Sequence, residues 1–140
     1  MAKRVEITLK PKPRGVHLVT SEVLAALRER GLTLPDAGIC NIFVKHTSCG
    51  LALCENWDPD VRHDMELDFD RIVPENAPYY RHVLEGSDDM PAHTMAVLTG
   101  SSLTVPVASG RLDLGTWQGI YLCEFRNHGG PRKLVVTVLD

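Results

Sequence analysis

A single domain that combines β-strands with a few helices is what these 140 residues predict. Three observations carry that expectation. Several short runs alternate apolar and polar residues at the two-residue period of a strand. Turns rich in Pro and Gly separate them. Three intervening segments show helical spacing with start and stop residues. The length suffices for one hydrophobic core and is too short for two, so one domain is expected over 1–140.

Val5, Ile7 and Leu9 alternate with Arg4, Glu6, Thr8 and Lys10, giving a strand with one wet and one buried face. Pro11, Pro13 and Gly15 mark a turn, after which Val16 to Val19 is expected to return as hairpin partner, with His17 structural. Thr20 suits the N-cap of a first helix, with Val23, Leu24 and Leu27 on one stripe and Gly31 as terminator. Ile39 to Lys45 is apolar on both faces, the pattern of a central strand, and delivers His46 to its end. Asp58 as N-cap and Pro59 at the first helical position open a second helix that buries Val61, Met65, Phe69 and Ile72. Residues 71–80 form an irregular connection on which Tyr79 and Tyr80 pack.

The third helix is expected from about Pro91 to Leu98, with Asp89 as N-cap and Gly100 as stop. Ser101 to Val107 is a strand. The longest strand is expected to begin at Gly115 and end at Arg126. Gln118, Ile120, Leu122, Glu124 and Arg126 share one of its faces, and Gly119, Tyr121, Cys123 and Phe125 the other. Leu134 to Leu139 closes the sheet as its hairpin partner.

The 44% hydrophobic and 24% charged fractions are those of an ordinary globular protein, and a formal net charge of -3 gives no general attraction to nucleic acid or an anionic membrane. Neither partner is therefore expected. Charges alternate through Met1 to Ile7 where a secretory leader needs an apolar run, so a cytoplasmic protein is expected. Cys40, Cys49, Cys54 and Cys123 contain no CxxC pair and read as reduced, buried thiols. For Cys49, beside His46-Thr47-Ser48, a nucleophile or soft ligand is the alternative.

Chemistry-bearing residues crowd most densely between Arg81 and His93. His82, Glu85, Asp88, Asp89 and His93 converge there around a helix start, a pattern that suits an anion with a cation between it and the acids. His46, at the rim of a rigid sheet, is placed either for chemistry or as an imidazole hydrogen-bonded to backbone. Asp60, Asp64 and Asp68 form a ladder of like charges in which Asp60 and Asp64 lie nearest the helix N-terminus. Glu124 and Arg126 either pair with each other, or Arg126 clamps an anion while Glu124 acts as base or ligand.

A chain-wide set of motifs extends this picture. It comprises His46-Thr47-Ser48-x-Gly50, Glu55-Asn56-x-Asp58-Pro59-Asp60-Val61 with Asp64, His82 with Glu85-Gly86, and Asp88-Asp89-x-x-Ala92-His93. Gly100-x-Ser102, Pro106, Gly110-x-Leu112-x-Leu114-Gly115-Thr116-Trp117-Gln118 and Glu124-x-Arg126 follow in order. Together these resemble the YjbQ-like family, whose members are also called secondary thiamine-phosphate synthases. The resemblance implies a compact α+β fold dominated by antiparallel β-sheet with about three helices, assembled as a homotrimer with sites near subunit boundaries. It also implies weak thiamine-phosphate synthase activity, joining a hydroxymethylpyrimidine diphosphate to a thiazole phosphate with loss of diphosphate. Departures from the family pattern are Cys49, Trp57 and the glycine-rich turn 127–131.

On this reading His46, Glu124 and Arg126 are the candidate catalytic residues. Asn56, Asp60, Asp64, Gln118 and Arg126 bind substrate or phosphate, and His82, Glu85, Asp89 and His93 hold a divalent metal ion. Magnesium suits diphosphate departure, whereas the imidazoles argue for zinc or manganese. The expected partner is a small anionic metabolite. The alternatives are a metal-dependent phosphate or ester hydrolase and a non-catalytic trimeric binding protein.

Overall fold

The computed structural model describes residues 1–140. Its elements in chain order are β1 (Ala2–Leu9), β2 (Gly15–Leu18), α1 (Thr20–Glu29), β3 (Ala37–Val44), β4 (Cys49–Glu55), α2 (Pro59–Ile72), α3 (Asp89–Thr99), β5 (Ser102–Ala108), β6 (Arg111–Leu112), β7 (Gln118–Glu124) and β8 (Arg132–Leu139). The strands form two sheets, β1-β8-β3-β5-β6 and β2-β7-β4. Every pairing is antiparallel. No helix is long and apolar enough to cross a membrane.

Alternation decides how the layers stack. Ile7, Leu9, Cys40, Ile42, Val44, Leu134, Val136 and Val138 cover the inner face of the larger sheet and meet Cys49, Leu51, Ile120 and Leu122 of the smaller one, with Val23 and Leu27 of α1 closing the edge. The opposite face of β7 presents Tyr121 and Cys123, which pack with Phe125, Ala92 and Met95 of α3, and Met65 and Phe69 of α2. It is β7 and not β3 that is covered by apolar side chains on both faces, because β7 lies in the middle layer of three.

Two strand partners differ from the sequence reading. β2 pairs with β7 instead of β1, because Pro11 and Pro13 hold the intervening link extended and carry the chain across to the second sheet. β8 pairs with β1 and β3 and not with β7. Strand β7 also starts at Gln118 and stops at Glu124, so the eight-residue β1, β3 and β8 exceed its seven.

The helix ends show the same local detail. Asp58 caps α2 by accepting from the Asp60 N–H at 2.9 Å. Thr20 lies inside α1, its hydroxyl accepting from the Ile120 N–H. Asp89 likewise lies inside α3, whose capping position falls on Asp88 without a side-chain cap bond. Ile72 is 64% exposed because α2 ends there, and Val73 takes the buried place. Tyr79 stacks edge-on with Tyr80 but stays exposed. On β3 only one face is covered within the chain, leaving Ile39 and Phe43 at 40% and 43% exposure.

Gly50 sets the approach of α3 to β4. A Cβ there would collide with the Thr99 hydroxyl and the Gly100 carbonyl, and the Leu51 N–H donates to that carbonyl at 3.0 Å. This close docking brings the His93 face of α3 against the Lys45–Ser48 link.

Candidate functional site

Two imidazoles and one carboxylate meet where α3 begins. Asp89, 2% exposed, sits in the first turn of α3, and His93 follows one turn later on the same side. The His82 Nε2 lies 2.6 Å and the His93 Nε2 3.0 Å from the same Asp89 Oδ2. The three ligand atoms lie within 4.8 Å of one another. His93 Nδ1 lies 2.8 Å from the Thr47 carbonyl and must donate to it, since a carbonyl only accepts. A neutral His93 ring then turns its Nε2 lone pair toward a carboxylate oxygen. Only a second proton or a cation between the two relieves that repulsion.

The surrounding bonds resemble the outer partners of a metal site, in which a carbonyl fixes the far nitrogen of a ligating imidazole. A tetrahedral cation about 2.1 Å from each ligand spaces them roughly 3.4 Å apart, so these pairs would open by less than about 1 Å to admit it. Glu85 does not join them. Its side chain is exposed, and its carbonyl accepts from Arg126.

Arg126 lies beyond the end of β7 and commits three of its five N–H donors within the chain. Its Nε donates to Asp88 at 2.9 Å, Nη1 to Asp89 Oδ1, and Nη2 to the Glu85 carbonyl at 3.0 Å. It therefore positions the carboxylates, a role the sequence reading did not give it. Burial alone would raise the Asp89 carboxyl, but the His82 hydrogen bond and the charges of His93 and Arg126 outweigh it and hold the group below its ordinary value. At Asp88 burial is likewise outweighed, by bonds from the Asn127 N–H and Arg126.

Glu124 is also fully engaged. Only 1% exposed, it pairs with Arg132, 3% exposed, whose Nε donates to Oε1 at 2.7 Å while Nη2 donates to Oε2. The Arg126 backbone N–H adds a bond to Oε2 at 3.1 Å. Gly129 passes so close that a Cβ there would strike both members of the pair. Glu124 is thus a structural anion, not a base, and its partner is Arg132, not Arg126. Sequence reasoning missed Arg132, although alternation places it on the buried side of β8 with Leu134, Val136 and Val138, where an unpaired charge is untenable.

His46 accepts the Lys133 backbone N–H at Nε2, 2.8 Å away, and so has Nδ1 left for a proton. Burial, reinforced by the Arg132 charge, lowers its pKa. It also lines an open cleft of about 500 Å³ with Thr47, His93, Val97, Gly100 and Ser101. His46 is thus hydrogen-bonded to backbone, one of its two sequence readings, and its ring also faces the cleft. Burial pushes the Cys49 thiol up to about 11, which leaves it protonated and inert at neutral pH.

Asn56, Asp60, Asp64 and Gln118 are not brought to this cluster within one chain. Gln118 and Glu124 stand at opposite ends of β7, six residues or roughly 20 Å apart at strand rise. Asn56 pairs with the Gln118 end, and Asp60 and Asp64 are exposed on the first turns of α2.

The family model described as UPF0047 protein YjbQ-like matches residues 5–140. The chain belongs to the YjbQ-like family. It is 52% identical over 132 residues to the UPF0047 protein YjbQ of Salmonella typhimurium, covering 94% of each chain. Against the UPF0047 protein YugU of Bacillus subtilis the identity is 45%, over 94% of this chain and 92% of that one. Among solved structures, a conserved hypothetical protein of Thermus thermophilus superposes with a TM-score of 0.82 at 34% identity, over 96% of this chain and 99% of that one. An uncharacterised YjbQ/UPF0047 protein of Clostridium acetobutylicum gives 0.81 at 36% over the same shares. Membership in the YjbQ-like family thus accounts for the α+β architecture.

Two outcomes follow from the buried charges. Glu124→Gln, leaving Arg132 unpaired, is expected to cost about 3–5 kcal/mol in denaturant unfolding, whereas Glu124→Leu combined with Arg132→Met recovers most of it. Because the folded carboxyls of Asp88 and Asp89 lie below their ordinary 3.8, their contribution is complete above that pH and is lost as pH falls through the folded values. Asp88→Asn is therefore expected to flatten the fall of urea midpoints between about pH 4 and pH 2, and an unchanged slope contradicts this assignment.

Proposed function

We propose that His82, Asp89 and His93 hold a divalent cation, and that the protein acts on phosphate or diphosphate esters of a small anionic metabolite. The specific reaction put forward, on the family resemblance, is weak thiamine phosphate formation from a pyrimidine diphosphate and a thiazole phosphate. The observation that supports the cation is the single Asp89 Oδ2 faced by two Nε2 atoms, one on a ring whose Nδ1 already donates to Thr47. Two imidazoles favour zinc or manganese over magnesium.

When bound, the cation would supply charge neutralisation for a departing diphosphate. The chain's own residues do the rest. Arg126 fixes Asp89, and the Thr47 carbonyl fixes the His93 ring. His46, neutral and tied through Nε2, meets a substrate in the shared cleft only through Nδ1. Since the cleft is open to water, ester hydrolysis is the second reading, and it needs no thiazole acceptor. A homotrimer is proposed as well, on the family resemblance, and Ile39, Phe43 and Leu139 leave an exposed apolar patch on the otherwise largely polar outer face of the larger sheet.

Untagged protein prepared without chelators is expected to carry about one zinc or manganese per chain, lost in His82→Ala and His93→Ala. Thiamine phosphate formation should fall about tenfold or more in His82→Ala. Equal product from wild type and variant would sink the synthase reading, and product made without the thiazole acceptor would favour hydrolysis. Sedimentation velocity is expected to give three times the single-chain mass, and a monomer rejects the trimer.

A further inference from the structure

A second cavity, of about 590 Å³, lies between α1 and the β5-β6 hairpin and shares no residue with the histidine cleft. That volume is ordinary for a small-molecule site. Six leucines make it apolar: Leu24 and Leu27 from α1, Leu32 and Leu34 from the link that follows, Leu112 from β6, and Leu114. Leu27 and Leu32 are buried, while the other four are only half-buried and keep apolar surface open to the groove.

Backbone bonds fix the walls. The Ser109 and Gly110 N–H groups donate to the Asp36 and Pro35 carbonyls at 2.7 and 2.9 Å, which ties the hairpin turn to the link between α1 and β3. Both turn residues hold the positive φ, 51° and 75°, that a two-residue hairpin turn requires. The Leu32 N–H donates to the Leu27 carbonyl at 2.9 Å and folds the link back on the helix end. The groove is therefore formed before any ligand arrives, and little ordering of the chain opposes binding.

Its charges are one-sided. Arg28 from α1 and Arg111 from β6 are the only ionisable residues of the lining, and both are exposed at its rim. Neither guanidinium has a hydrogen-bond or ion-pair partner within the chain, whereas Arg14, Arg126 and Arg132 are each held by carboxylates. In a chain of net charge -3 this is a local excess of cation beside a leucine surface. A guanidinium fork pairs with a planar carboxylate through two parallel hydrogen bonds. A phosphate dianion is the poorer match, because seating two charges beside leucines costs more desolvation than seating one. No aromatic ring lines the groove, so nothing in it favours a flat ligand over a flexible chain.

We infer that this groove binds a free aliphatic monocarboxylate, its chain lying along the leucines and its head paired with Arg28 and Arg111. The inference does not rest on the cation reading, because the two cavities have no residue in common.

Calorimetric titration of the full-length protein with sodium decanoate, kept below its micellar concentration, is expected to show one saturable site per chain with Kd on the order of 10–100 μM. Octanoate should bind about tenfold more weakly, the value of two buried methylenes. Decylammonium, with the same chain and the opposite charge, should not displace decanoate. Arg28→Gln and Arg111→Gln should each weaken decanoate about five- to tenfold with the melting curve unchanged. His82→Ala should bind decanoate as wild type does.

No saturable heat up to about 1 mM overturns the inference. Equal affinity for decanoate and octanoate does so too, as does a variant carrying both arginine substitutions that binds as wild type does. Decanoate uptake that occurs only as sedimentation velocity shows the oligomer dissociating assigns the groove to a second copy of the chain, and overturns it as well.

Discussion

The buried pair of Glu124 and Arg132 is the constraint from which the histidine site hangs. It joins the last residue of β7 to the first of β8, and so fastens one sheet to the other. Ser48, at the start of β4, joins through its carbonyl. Arg126 leaves β7 with its N–H bound to Glu124 and its guanidinium on Asp88 and Asp89. Lys133, next to Arg132, turns its backbone N–H to His46. One desolvated ion pair thus sets the positions of a guanidinium, two carboxylates and an imidazole without taking part in their chemistry. Such a pair contributes little net stability over an apolar substitute, but its geometry is unforgiving.

Much of the architecture was legible because it rests on periodicity. Alternation assigned the two faces of β7 correctly, and the Asp58-Pro59 start of α2 followed from capping chemistry. Strand partners were not legible. A period of two fixes which face a residue occupies and says nothing about which strand lies beside it. Hence β2 and β8 were each assigned the wrong neighbour.

At the site the same distinction holds. His82, Asp89 and His93 lie close in sequence at a helix start, where spacing alone brings them together. Glu124 and Arg126 share a face only while the strand continues, and β7 ends between them. The true partner of Glu124 is eight residues away across a glycine turn. The Arg132 signal was a charge in the buried register of a strand, which is visible once the strand is recognised as having an inner face. Asn56 and Gln118 carry amide side chains whose free atoms are defined by backbone partners, a matter of three-dimensional detail that residue type does not reveal.

The pairing of the first strand with the last has a consequence for biosynthesis. β8 lies between β1 and β3, so the larger sheet is split in two until residues 132–139 have been made. The smaller sheet needs nothing beyond residue 124 and can assemble earlier. Until β8 arrives, the apolar faces of β1 and β3 have an open gap, and Glu124 has no counter-charge. Long-range closure of this kind is slow and exposes strand edges while it waits. The nascent chain is therefore most vulnerable to aggregation just before its final strand emerges from the ribosome.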